Sequence, residues 1–261
     1  MLRLDTGVDL WFDGMMNPGE WRKPEPGEHR APCPALNALA NGGHIPRDGK
    51  ATKAQLVRAI EEQFGLSPSI GEKLADQAMG RHGKPGPDGV PVLCLSDLAE
   101  HGFIEHDASL TRRDAHKGDA VEVIEPLIDQ LVSLSKDDKT LTLEDMAVAH
   151  QLRMAQSADG GHAVPLKAAV LGALEASLLY LVLARDGAIA IPDLVEFLKH
   201  ERIPAHLSPQ PIGVGAIVEA TAVLTVIGNV PLCEANKRAR QAAREMIEPE
   251  ASRCPVEHKA R

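Results

Sequence analysis

The chain has 261 residues. At about 150 residues per domain that allows one large domain or two small ones, with a core that needs no disulfide staple. Lys and Arg number 28 against 37 Asp and Glu, a formal charge of −9, which excludes the basic footprint of a general nucleic-acid binder. Aromatic residues make up 3 %, too few for a base-stacking surface or an all-β sandwich, and the Leu- and Ala-rich apolar set favours helices.

In chain order, residues 1–32 read as an irregular Pro/Gly/Glu-rich arm anchored by Trp11 and Trp21. Cys33-Pro34 opens a helix that Gly42-Gly43 stops. Thr52-Lys53-Ala54-Gln55 is a capping box, and the helix it opens ends near Phe64-Gly65. Ser69-Ile70-Gly71-Glu72 has the same form and predicts a third helix ending near Gly80. HGKPGPDGVP reads as a loop, and Ser96 to His101 as a short helix stopped by Gly102.

Val121 to Leu134 has apolar positions at helical spacing, and Thr142 caps a helix running to Met154. Ala163–Ala184 and Pro211–Cys233 are long apolar stretches. Each contains a carboxylate, Glu175 or Glu219, which costs a few kcal/mol in lipid, so they are expected to be central helices of a globular domain and not membrane spans. Pro192 starts a helix to His200, and residues 237–261 form a charged tail. No βα alternation and no internal repeat is present. The expected fold is all-α, a single mostly helical domain over residues 1–261.

The four cysteines, 33, 94, 233 and 254, contain no Cys-x-x-Cys pair. With no sequon and no signal-length apolar run near residue 1, the chain reads as intracellular with reduced thiols, or as secreted if it is a processed form. Cys94 and Cys233 are expected as core or interface thiols, and oxidation of Cys233 or Cys254 would link subunits into a homodimer.

Three groups of residues stand out. Cys33, between Pro32 and Pro34, sits at a helix N-terminus, where free N–H groups and the helix dipole favour thiolate. It is either a soft metal ligand, as in haem proteins, or an ordinary cap cysteine. Glu105-His106-Asp107-Ala108-Ser109 places carboxylate, imidazole, carboxylate and hydroxyl in one turn. That set can bind a hard cation, form a relay in which Asp107 orients His106, or be a solvated loop. Glu175 lies between Leu171, Gly172, Leu178 and Leu179 at helical spacing, with Gly172 leaving room beside it. It is either an acid–base group made more basic by desolvation or a buried Glu paired with a structural Arg or Lys. Glu219 has a similar setting.

Pro32-Cys33-Pro34-Ala35-Leu36-Asn37-Ala38-Leu39-Ala40-Asn41 with Ile45-Pro46-Arg47-Asp48-Gly49 resembles the haem-binding segment of the haem-thiolate peroxidases, the fungal chloroperoxidase and unspecific peroxygenase family. Glu105-His106-Asp107-Ala108-Ser109 resembles that family's second motif in its short, His-containing form, and the helix with Glu175 matches the place of its distal glutamate. The likeness runs from about Pro32 to Pro204. The family usually has His directly after the Asn of the first motif, whereas here Gly42 and Gly43 precede His44.

The resemblance implies a chloroperoxidase-like fold and a haem b with Cys33 as proximal ligand. It implies Glu175 as the acid–base that moves the peroxide proton, His106 hydrogen-bonded to it, and Asp107 behind His106. It implies Mg²⁺ or Mn²⁺ near a haem propionate, held by Glu105, the His106 carbonyl and Ser109. The activity implied is that of a hydrogen-peroxide-dependent oxidoreductase. Through an oxo-ferryl haem it would transfer oxygen to, or oxidise, an apolar or aromatic organic substrate. The alternatives are halide oxidation on the same fold and a helical haem-binding protein without turnover.

Overall fold

The computed structural model describes residues 19–228 apart from Pro87 and residues 159–162. Trp11, Cys233, Cys254 and the 237–261 tail lie outside the described residues. The first helix, α1 (Pro34–Asn41), begins with Pro at its first turn, where a missing N–H costs nothing. Strand β1 (Lys50–Thr52) leads into α2 (Lys53–Phe64), whose capping box is present as expected: Thr52 Oγ1 accepts from Gln55 N and Gln55 Oε1 accepts from Thr52 N.

Helix α3 (Pro68–His82) is capped at Ser67, two residues before the expected Ser69, because Pro68 takes the first turn, and it stops only at Gly83. The expected Gly/Pro loop is the tip of a hairpin. Strands β2 (Lys84–Pro85) and β3 (Pro91–Cys94) pair antiparallel, and β3 also pairs with β1. Three prolines in or beside these strands hid them from a periodicity reading, although Pro is tolerated at such edges. A 3₁₀ turn over Leu95–Ala99 replaces the expected short helix.

Helix α4 (Glu125–Val132) is shorter than its apolar period, because Pro126 has to lie in the first turn. After β4 (Thr140–Leu141), α5 (Leu143–Ala158) is capped by reciprocal bonds between Thr142 and Asp145 and runs a turn beyond Met154. Helix α6 (Leu166–Leu183) follows, then β5 (Ile189–Ala190), which pairs with β4, then α7 (Ile191–Lys199) and α8 (Val214–Gly228). The protein is mostly helical, eight α-helices among the described residues with two small sheets.

Helices α5, α6 and α8 pack against one another, α2 packs on α3, and α7 contacts both α1 and α4. Leu39, Met146, Ala147, Ala176, Leu183 and Leu194 are fully or almost fully buried and join these layers into one core. The long apolar stretch around Glu175 is α6. It is buried against α5 and α8 and exposes Leu166 and Val170 at its first turns.

Candidate active site

The turn before α1 is held by buried amides. Asn37 Oδ1 accepts from Ala31 N and Asn37 Nδ2 donates to Ala31 O, both at 2.8 Å, so the chain entering Cys33 is tied to the helix it starts. Asn37 Nδ2 also donates to Glu201 Oε1 at 2.8 Å, and Asn41 accepts from Arg30 Nε at 2.9 Å. Glu201 adopts φ +48°, and its carbonyl accepts from Trp21 Nε1 and Asn41 Nδ2. Trp21 thus anchors the arm as its sequence setting suggested, with the Arg202 guanidinium over its ring. His44, which follows Gly42 and Gly43, folds its ring onto Gly42. A Cβ there would meet His44 Cδ2 at 2.7 Å.

Cys33 is half-buried, a free thiol at the start of α1. Burial pushes its pKa up and the Glu175 charge adds to that, while the Leu36 and Ala35 N–H groups and the Arg112 charge pull the other way. The sulfur makes no capping hydrogen bond to the helix, yet it feels the N–H groups of its first turn and lies within electrostatic reach of a carboxylate on α6.

The second motif forms a tight turn. Ala108 has φ +64°, a region that non-glycine residues seldom occupy, and its N–H is fixed by Asp114 Oδ1 at 2.9 Å. Asp114 is buried. Burial alone would raise its pKa, but Lys117, the Ala108 N–H and Arg153 together hold it low. Arg153, buried on α5, donates from Nε to Ser109 O at 2.7 Å and from Nη2 to Arg112 O and Asp114 Oδ1, both at 3.3 Å. Its burial pushes its pKa down and Asp114 opposes that.

Glu175 and this turn meet. Ser109 Oγ donates to Glu175 Oε1 at 2.9 Å with Oε2 at 3.1 Å, and Leu110 N donates to Oε2 at 3.3 Å. His106 Nε2 lies 3.8 Å from Glu175 Oε2, and His106 Nδ1 lies 2.9 Å from its neighbour's carbonyl, Asp107 O. The Asp107 side chain accepts from Ala115 N at 2.8 Å and faces His101 Nε2 at 3.9 Å. Glu105 is buried and bonds His101 Nδ1 at 2.7 Å. Glu175 is not sealed among leucines as its helical neighbours suggest, since 26 % of its side chain is accessible. Glu219, which the sequence could not tell from it, is exposed on α8.

The room beside Gly172 is filled. A Cβ on Gly172 would meet His150 Cε1 at 2.8 Å and Nδ1 at 3.0 Å, with His106 Cε1 at 3.6 Å, so two imidazoles from different elements converge on one glycine. His150 is buried, and burial first, then the nearby His106, lowers its pKa to about 4. A pocket of about 110 Å³ reaches His106 and Asp107 from the side of Lys167 and Leu171. It is large enough for water or peroxide and smaller than the ~300 Å³ at which drug-sized ligand sites begin.

The comparisons bear on this geometry. Residues 19–212 match the family model described as "Peroxidase, family 2". The chain belongs to peroxidase family 2. Within this family it is 37 % identical over 129 residues to an aromatic peroxygenase of Cyclocybe aegerita, covering 44 % of this chain and 35 % of that protein. It is 36 % identical over 130 residues to an aromatic peroxygenase of Coprinellus radians, covering 44 % and 49 %. It is 41 % identical over 120 residues to a chloroperoxidase of Leptoxyphium fumago, covering 45 % and 32 %. The matched segments span a third to a half of the length of these curated relatives.

Peroxidase family 2 implies haem, and the residues of this chain suit one. Cys33 is a thiol at a helix start, the ligand type that haem iron accepts. Among the described residues, three of the four buried side-chain polar atoms without a hydrogen-bond partner belong to Thr111 and Arg112, just after the second motif, and to His150 on α5. The described residues contain no group of three or more His, Cys, Asp or Glu arranged for a metal ion. Arg112, Arg153, Asp114 and His150 were not found by sequence reading. The available signals were Arg112 and Asp114 directly following the second motif, and His150 and Arg153 three residues apart on one helix face.

Proposed function

We propose that this member of peroxidase family 2 is a haem-thiolate peroxygenase that uses hydrogen peroxide to oxygenate small apolar or aromatic molecules. The observation that carries the reading is the hydrogen bonding of Glu175 on α6 to Ser109 and Leu110, with His106 3.8 Å away and not in the hydrogen bond expected of it, within electrostatic reach of the thiol at the start of α1. Bound haem with a thiolate ligand supplies the redox chemistry that cleaves the O–O bond of peroxide and passes one oxygen to the substrate, the other leaving as water.

The chain's own residues divide the remaining work. Cys33 is the ligand, and the Ala35 and Leu36 N–H groups stabilise its anion. Glu175 would be the proton carrier, accepting a proton from one peroxide oxygen and returning it to the other. Ser109 and Leu110 fix the orientation of its carboxylate. His106 stands beside it as the second group able to exchange that proton. Asp107 positions the turn through the Ala115 N–H more than it orients the His106 ring.

A divalent cation, Mg²⁺ or Mn²⁺, completes the reading. Glu105, the His106 carbonyl and the Ser109 hydroxyl are a set of hard oxygen donors. Ser109 serves both roles, since a hydroxyl that donates its hydrogen to Glu175 keeps lone pairs for a cation. These three donors would leave a six-coordinate ion incomplete, and a porphyrin carboxylate would suit it as an anionic complement. Reconstitution with haemin tests the function. The ferrous–CO complex should have the red-shifted Soret band of a thiolate ligand, and hydrogen peroxide should then oxygenate an apolar probe. Protein that takes up no haemin would exclude the reading, and haem protein inert to peroxide would leave a binding role.

A further inference from the structure

Arg112 is 1 % exposed, and its guanidinium offers five N–H donors and no acceptor. Its Nε donates to Pro32 O at 2.8 Å and its Nη2 to Glu201 Oε1 at 2.6 Å. These bonds occupy one edge of the planar fork. Nη1, at the opposite corner, is buried with no hydrogen-bond partner among the described residues. An unmade bond from a buried cationic donor is costlier than one from a neutral group, so such a donor is normally matched.

The missing acceptor has a definable chemistry. Both acceptors that Arg112 already uses are engaged, and the Cys33 sulfur is not bonded to Nη1, although the Arg112 charge favours its thiolate. The acceptor therefore belongs to a bound group beside Cys33, and a buried guanidinium corner selects an anionic oxygen. The local charge allows one. Arg112 is balanced by Glu201, and the buried Arg30 lies within electrostatic reach of the same Glu201. Arg30 is itself paired with Glu28, which Arg22 shares, so Arg22, Arg30 and Arg112 face Glu28 and Glu201, and a further carboxylate leaves no excess of negative charge among them.

We propose that the Nη1 corner of Arg112 donates to a carboxylate of the bound porphyrin, so that one guanidinium ties together the segment entering Cys33, Glu201 beyond α7 and the edge of the cofactor. This rests on the haem-thiolate reading. It assigns Arg112 as a cofactor-binding residue, distinct from the Glu105, His106 and Ser109 oxygen set.

The test is a cycle of two proteins and two porphyrins. Apo wild type and Arg112→Gln are titrated with haemin and with haemin dimethyl ester, following the Soret band, and circular dichroism reports the helical fold. Wild type should bind haemin about 10- to 100-fold more tightly than the ester, the range of a charge-assisted bond. In Arg112→Gln that preference should fall by about tenfold or more, the remainder being the share of the carboxylate at the cation site, with ester binding little changed. An undiminished preference in a folded Arg112→Gln overturns the assignment while leaving haem binding intact. Failure of wild type to give a thiolate spectrum with haemin overturns the underlying reading instead. A measurement on wild type keeps the test decisive if the variant does not fold. With ¹⁵N-labelled arginine, a slowly exchanging guanidinium should shift on binding zinc protoporphyrin and not on binding its dimethyl ester. Identical spectra in the two complexes overturn the proposal.

Discussion

The Ser109 hydroxyl sits between both oxygens of Glu175, at 2.9 and 3.1 Å, joining the turn of the second motif to the middle of α6. A carboxylate held this way keeps one orientation through successive proton transfers. Loss of a positioned acid–base group typically costs about 10²–10⁴-fold in rate. Glu175→Gln should slow peroxide consumption by that order with normal haem content, measured by stopped-flow absorbance. Glu219→Gln, an exposed position on α8, serves as the control and should be within twofold of wild type.

Cys33→Ser should retain the helical far-UV spectrum and lose the thiolate Soret band of the ferrous–CO complex. Cys94, whose sulfur faces Ser96 Oγ at 3.2 Å, should be replaceable by Ser without spectral change. A thiolate band that follows Cys94 would refute the ligand assignment.

Gly172→Ala puts a methyl group 2.8 Å from His150 Cε1 and 3.6 Å from His106 Cε1. Overpacking of this kind costs about 1–3 kcal/mol. Denaturant unfolding should register that loss, and peroxide activation should fall because both imidazoles are displaced. Gly172→Ala with His150→Ala should recover most of the stability difference between the single variants and wild type.

His150, at about pKa 4 in the folded protein, lies below the ordinary histidine value near 6.5. The unfolded chain therefore binds the extra proton first. Stability should be complete above about pH 6.5 and fall as pH drops towards 4, by up to about 3 kcal/mol if the full shift is realised. Urea titrations of apo protein across that window should show the slope, and His150→Phe should flatten its share.

Glu105→Gln should lower the bound divalent cation from about one per haem towards zero in elemental analysis. Haem retention should weaken with it. Full cation content in this variant would remove Glu105 from the ligand set.

Much of the molecule was legible in order of residues. Pro34, the Thr52–Gln55 capping box, Gly65 and the leucine spacing of α6 act within a turn or two of themselves, so they marked helix ends without reference to the rest of the chain. The two motifs and Glu175 carried a recognisable chemistry in the right sequence. Burial and pairing were decided elsewhere. Whether Glu175 or Glu219 faced the site depended on how α5, α6 and α8 pack, and the leucines around Glu175 overstated its burial because Ser109 and Leu110 arrive from a distant turn. The β2–β3 hairpin was masked by prolines that a sheet tolerates only on an edge strand, as Pro85 on β2, or at a strand's first residue, as Pro91 on β3. Arg112, Arg153 and His150 gain meaning only where residues far apart in sequence share a few ångströms, because a buried charge or imidazole is defined by its partners, and no local pattern specifies those.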